Sequence, residues 1–172
     1  MERKGEVKFL KDFLNLSEAI QVNAPFESMG DLLWDYEGER LFGGYGFRTD
    51  IEAYEEVKRH MDKDIIALEL TNAHFYHLDT CLSIINRSTA LFVLSAFSAA
   101  TVRSLRNHFN HLIAVDEVEA LKYLACNAHC PDGKNIIIEQ GAKKLQADCQ
   151  KIGLNIHTVD TSEFLKSGGS IF

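Results

Sequence analysis

A histidine and an aspartate two residues apart, in Phe75-Tyr76-His77-Leu78-Asp79-Thr80, make up the stretch of this chain best equipped for chemistry. If the local backbone is extended, alternate side chains share a face, so His77 and Asp79 project to the same side. Such a pair sets a group that can carry protons beside a fixed anion. The plain structural alternative is a satisfied histidine at the start of a strand, followed by a turn-forming aspartate.

Regular elements must surround this pair. The apolar run Ile65 to Leu70 reads as a strand entering it, and Thr80 to Ile85 as a strand leaving it. Upstream, residues 6 to 15 carry helical spacing and Ala19 to Val22 a short strand. Leu32-Leu33-Trp34 and Leu41 to Gly46 form the arms of a hairpin around Asp35-Tyr36-Glu37-Gly38-Glu39-Arg40. Thr49-x-x-Glu52 reads as a capping box, with Ile51, Tyr54, Val57 and Met61 as the apolar stripe of its helix.

The same order recurs downstream. Thr80 to Ile85 and Ala90 to Leu94 are paired strands, followed by a helix bearing Val102, Leu105 and Phe109 and a strand over Leu112 to Val115. Asp116-x-x-Glu119 caps an extra helix. A third pass starts at Ala125-Cys126-Asn127-Ala128 and returns through Asn135 to Ile138. Its helix carries Ala142, Leu145, Cys149 and Ile152, and its closing strand is Asn155 to Val159. Asp31, Asp79 and Asn127 stand 48 residues apart in succession. This recurrence predicts a single α/β domain of strand-strand-helix-strand units, over about 24–70, 75–124 and 125–160, with a further unit opening at 161–172.

Composition narrows the function. The chain has 172 residues, is 46% hydrophobic and carries a formal net charge of -7. No cluster of lysine and arginine forms a basic stripe, so a nucleic-acid partner is not expected. No apolar run is long enough to span a bilayer, and the N-terminus has no signal-type apolar core, so a soluble cytoplasmic protein without a membrane partner is expected. Cys81, Cys126, Cys130 and Cys149 form no CxxC pair, which argues for small buried hydrophobes and against a metal site.

Four motifs taken together carry a resemblance. Phe26-Glu27-x-x-Gly30-Asp31, Gly44-Tyr45-Gly46-Phe47-Arg48-Thr49, Phe75-Tyr76-His77-Leu78-Asp79-Thr80 and Leu165-Lys166-Ser167-Gly168-Gly169-Ser170 occur in this order from about Ala19 to Phe172. The set resembles the guanidine-modifying, or pentein, superfamily of arginine deiminases, dimethylarginine dimethylaminohydrolases, amidinotransferases and arginine dihydrolases. The resemblance implies a five-bladed α/β propeller, of which this chain would hold about three units.

A guanidinium is planar, charged and resonance-stabilised, so carboxylates must grip its edges while a thiolate attacks its carbon. The resemblance implies that His77 is the general acid/base and that Asp79 holds the guanidinium nitrogens. Arg48 would receive the substrate's α-carboxylate. Glu27 would orient His77, with Asp31 as the alternative. The substrate would be a small guanidino compound, unmethylated if Asp79 guides the choice, and no cofactor or metal is implied.

The nucleophilic cysteine of this superfamily is expected just after the Gly-Gly motif, next beyond Phe172, and the N-terminal units with their further substrate-binding residues are expected to be missing as well. Cys81, placed on the same strand face as His77 and Asp79, would be a poor substitute. The chain by itself is therefore expected not to turn over, and its exposed edges to favour self-association or a complementing chain. The alternatives are a non-catalytic binding or structural protein of the same fold and a degenerate gene fragment.

Overall fold

The computed structural model describes Asp12, Phe13 and residues 22–172. The helix expected over 6–15 is described only at Asp12 and Phe13, which are helical, and the strand expected over 19–22 lies outside the described residues except Val22, which is not in a strand. Three small sheets follow one another along the chain.

In the first sheet, β1 (Leu32–Trp34) pairs antiparallel with β2 (Arg40–Tyr45) through Leu33 and Phe42. Helix α1 (Ile51–Lys58) carries the chain across to β3 (Asp64–Glu69), which runs parallel to β2 with Gly43 opposite Ala67. The second sheet repeats this pattern with β4 (Leu82–Asn86), β5 (Thr89–Phe92), helix α2 (Ala99–His108) and β6 (His111–Ala114). After α3 (Glu117–Tyr123), the third sheet has two strands, β7 (Asn135–Glu139) and β8 (Asn155–Val159), parallel across α4 (Lys143–Lys151). A short helix α5 (Ser162–Leu165) follows.

The third pass departs from expectation at its start. Residues 125–128 form a turn, and the only pairing to β7 on that side, among the described residues, is a bridge between His129 and Ile137. Two neighbours account for this. The Ala128 carbonyl accepts a hydrogen bond from Ser83 Oγ at 2.7 Å, and Pro131 has no N–H with which to extend a ladder.

A short turn opens each unit and, in the first two, leads into the first strand. The N–H of Asp31 donates to Ser28, that of Cys81 to Leu78 and that of Asn127 to Leu124, at 2.8 to 3.0 Å. The carbonyls of Asp31 and Cys81 then accept from Gly44 and Val93. Asp31, Cys81 and Asn127 are thus the structural counterparts, in place of the evenly spaced Asp31, Asp79 and Asn127. Ser28 and Leu124 share a left-handed backbone, with φ of 43° and 46°.

One large apolar core runs through all three sheets, with Phe75, Leu78, Leu82, Leu91 and Ile136 fully buried. Phe42 of β2 stacks on Phe109, beyond α2, at 5.3 Å between ring centroids and ties the first unit to the second. Beneath α1 a smaller cluster forms from Leu41, Tyr54, Val57 and Ile65. Among the described residues no helix is long and apolar enough to cross a membrane.

Candidate active site

The site lies where the turn before β1 meets the turn before β4. His77 has extended backbone, with φ -126° and ψ 147°, but Leu78–Thr80 then close a 3-10 turn. The extended backbone supposed for His77 to Asp79 and the strand start expected at Thr80 are therefore corrected: the strand begins at Leu82. The Thr80 hydroxyl donates to the His77 carbonyl at 2.6 Å and its N–H at 3.3 Å, which winds the chain immediately after the histidine. Asp79 thus reaches the site from a turn.

Asp31 is 1% exposed and both of its oxygens are engaged. Oδ1 accepts from the N–H of Leu78 at 2.9 Å, and Oδ2 accepts from the Thr49 hydroxyl at 2.6 Å. Oδ2 also lies 3.5 Å from His77 Nδ1, close enough for charge attraction, although Nδ1 is buried and makes no hydrogen bond among the described residues. Gly30 lets the ring approach: a Cβ there would stand 3.3 Å from Nδ1. Burial and the Asp31 charge together push the Tyr54 phenol far up, burial contributing more.

Asp79 is partly buried. Asn127 Nδ2 donates to its backbone carbonyl at 3.2 Å and reaches Oδ2 at 3.4 Å. Its Oδ1 is buried with no hydrogen-bond partner among the described residues. Burial pushes this carboxyl up to about 6; the neighbouring His77 opposes the rise and the Asp31 charge adds to it. Asp79 opens onto a cleft of about 570 Å³ walled by Met29, Trp34, Leu82, His129 and Phe172. The Phe172 N–H donates to Asn127 Oδ1 at 2.9 Å.

Glu27 and Arg48 form a pair beside this cluster. Glu27 Oε1 accepts from Arg48 Nη2 at 2.7 Å and from Nε at 3.0 Å. The Arg48 guanidinium stands 5.8 Å from the centre of the Tyr76 ring, which in turn packs edge-on against His77 at 4.7 Å. The carboxylate next to His77 is that of Asp31, while that of Glu27 is engaged with Arg48. Chain direction explains the division. The Glu27 N–H is tied to the Thr49 hydroxyl at 3.0 Å, which holds Glu27 beside the Arg48 loop.

Cys81 does not share a face with His77 and Asp79. It is fully buried after the 3-10 turn, its Sγ pointing at the carbonyls of Leu78 and His77, at 3.5 and 3.6 Å. Burial pushes its thiol well up, as it does those of Cys126, Cys130 and Cys149. Sequence reasoning missed Thr49, read as a helix cap. It also missed the Asn127 amide, whose only signal was its place in the repeat.

Chemically, the cluster offers one imidazole near two carboxylates, one hydrogen-bonded on both oxygens and the other, lining the cleft, with a buried oxygen unpartnered among the described residues. Such a set can hold a planar cation and move a proton next to it.

Comparison with known proteins bears on this geometry. No family model matches the chain. It is 37% identical over 145 residues to a dimethylarginine dimethylaminohydrolase of Mycobacterium tuberculosis, covering 84% of this chain and 47% of that protein. Over 175 aligned positions it is 30% identical to the bifunctional arginine dihydrolase/ornithine cyclodeaminase ArgZ of Synechocystis, covering 98% of this chain and 24% of that one. The crystal structure of the N-terminal domain of ArgZ, a cyanobacterial arginine dihydrolase, solved as a cysteine-to-serine mutant bound to substrate, superposes with a TM-score of 0.83. It has 30% identity over 97% of this chain and 63% of that one. The chain thus spans about a quarter to a half of the length of these two curated relatives.

Proposed function

We propose, for a chain that belongs to the guanidine-modifying (pentein) superfamily, that these residues supply the proton-transfer and cation-holding part of an amidinohydrolase site. The observation that carries the reading is that Asp31 lies 3.5 Å from His77 Nδ1 and that Asp79, within reach of both their charges, lines the cleft with one carboxylate oxygen unpartnered among the described residues. The substrate is arginine or a related guanidino compound, and the reaction is hydrolysis of a C–N bond through a covalent thiouronium on cysteine.

Each residue has a role that its surroundings support. Asp31 orients His77 through Nδ1, which leaves Nε2 as the nitrogen that accepts and returns the proton. Asp79, which lines the cleft, takes the guanidinium N–H groups on its carboxylate. A cation there would favour the ionised carboxyl that burial disfavours, so binding strengthens as pH rises through about 6. Arg48 receives the substrate's α-carboxylate, and Glu27 holds Arg48 in place before it arrives.

The attacking thiolate comes from outside these residues. All four cysteines of the chain are buried, with thiols held protonated by their apolar surroundings. The intact fold in this reading is a five-bladed propeller whose remaining units lie elsewhere in sequence or on another chain. In this reading the protein works in the cytoplasm.

NMR titration of the chain with guanidinium, arginine and dimethylarginine tests the reading. Guanidinium and arginine should move the His77 ring signals at pH 7.5, dimethylarginine less, and Asp79→Asn should abolish the response. If neither unmethylated ligand perturbs His77, the proposed cation site is wrong.

A further inference from the structure

We propose that Thr49 is a positioning residue for proton transfer: its hydroxyl holds Oδ2 of Asp31 and so sets how strongly that carboxylate draws on His77. The inference rests on the reading of Asp31 and His77 as a working pair. Thr49 is 1% exposed, and its oxygen accepts the Glu27 N–H at 3.0 Å. Its single proton is directed to Asp31 Oδ2 at 2.6 Å. The direction of this link is fixed, because an acceptor-only carboxylate can only receive.

The consequence lies in competition for one oxygen. Oδ1 is occupied by the Leu78 N–H, so Oδ2 is the oxygen left for His77. Thr49 holds it 0.9 Å closer than the imidazole does, at 2.6 Å against 3.5 Å. A donor that shares the anion's charge lowers the proton affinity of the whole pair. Thr49 therefore takes a share of the Asp31 charge that would otherwise act on His77 alone, which is how it bears on a general acid/base beside it.

The other groups around His77 are Asp79 and the buried Cys81 thiol from its own segment, and Tyr76 with the Arg48–Glu27 pair beyond it. The Tyr54 phenol reaches the Asp31 carbonyl from α1 at 3.1 Å. None of them donates to Oδ2, so removing the Thr49 hydroxyl takes from that oxygen a donor no other group replaces, and also leaves the Glu27 N–H without its acceptor.

NMR titration of His77 in the 172-residue chain reads the effect. Thr49→Val should raise the His77 midpoint by roughly half to one pH unit, a fraction of the energy of one hydrogen bond to an anion being passed on to the imidazole. Thr49→Ser, which keeps the hydroxyl, should restore the original midpoint. An unchanged or lowered midpoint in Thr49→Val, with Asp31→Asn still lowering it, overturns the role of Thr49 and leaves the His77–Asp31 pair standing. If Asp31→Asn has no effect, the pair itself is wrong and the Thr49 proposal falls with it. Should Thr49→Val not fold, Thr49→Ala replaces it. Failure of both to fold makes Thr49 a purely structural residue and overturns the proposal.

Discussion

At the scale of single residues, Asp79 is where function and stability oppose each other. Its carboxyl is held at about 6, above the usual 3.8, chiefly because it is buried. A raised carboxyl favours the protonated form in the folded state. Its stabilising contribution is therefore complete below about pH 4 and lost as pH rises through 6. Asp79→Asn, neutral at every pH, is expected to be more stable than the native chain at pH 8. The gain should be about 1–3 kcal/mol, since each pH unit separating the folded from the unfolded carboxyl is worth about 1.4 kcal/mol, and the two proteins should converge near pH 4. Thermal melts at the two pH values check this. Equal melting differences at both would show that ionised Asp79 costs the fold nothing. A residue that burial penalises and a bound cation would relieve is what a binding role predicts.

At the scale of elements, β2 positions the site through two consecutive glycines. A Cβ on Gly43 would stand 2.6 Å from the Tyr54 ring, and one on Gly44 would stand 2.8 Å from Leu78 Cβ. Successive residues of a strand face opposite sides. Gly43 therefore admits helix α1 on one face, and Gly44 admits the 3-10 turn after His77 on the other. The Tyr54 hydroxyl donates to the Gly44 carbonyl across the same strand. Gly44→Ala must push the Leu78 turn away from Asp31 and is expected to cost about 1–3 kcal/mol. It should also weaken the coupling between Asp31 and His77, read as a changed His77 titration. Gly43→Ala should destabilise by a similar amount through Tyr54, with a smaller effect on His77. Identical His77 titrations in the two variants would mean that β2 does not set the approach of the two turns.

At the scale of the whole molecule, the placement of thiols separates the chain's chemistry from catalysis. With four buried cysteines, the folded protein is expected to react negligibly with a haloacetamidine or a disulfide reagent over minutes, and four thiols should titrate after denaturation. Mass spectrometry of the labelled protein checks this. Rapid native labelling at Cys81 would restore it as a nucleophile. Met29 and Trp34 remain exposed beside the apolar cleft. Surface of this kind supports association through that face, and sizing with light scattering over a range of concentrations measures it. A concentration-independent monomer would count against a complementing partner at that face.

Local rules were legible in the sequence wherever the partners of a hydrogen bond lie within a few residues of each other. Asp116 caps α3 by accepting from the N–H groups of Val118 and Glu119, as its spacing to Glu119 predicts. The hairpin of Leu32–Trp34 with Arg40–Tyr45 also follows from pattern. Thr49 shows where the local rule stops. Its spacing to Glu52 reads as a cap, yet α1 starts at Ile51 with no side-chain cap, and the hydroxyl serves Asp31. A buried carboxylate without donors costs more than an exposed helix end, which water can satisfy. Tertiary structure likewise decided which acid faces His77. Glu27 and Asp31 are four residues apart and chemically alike, so spacing could not rank them. The packing of the Leu78 turn against the turn before β1 put Asp31 beneath the histidine and left Glu27 to Arg48. Residue types and their spacing encode what chemistry is available. Which charge meets which base is settled only when sheets pack and bring turns some 46 residues apart into contact.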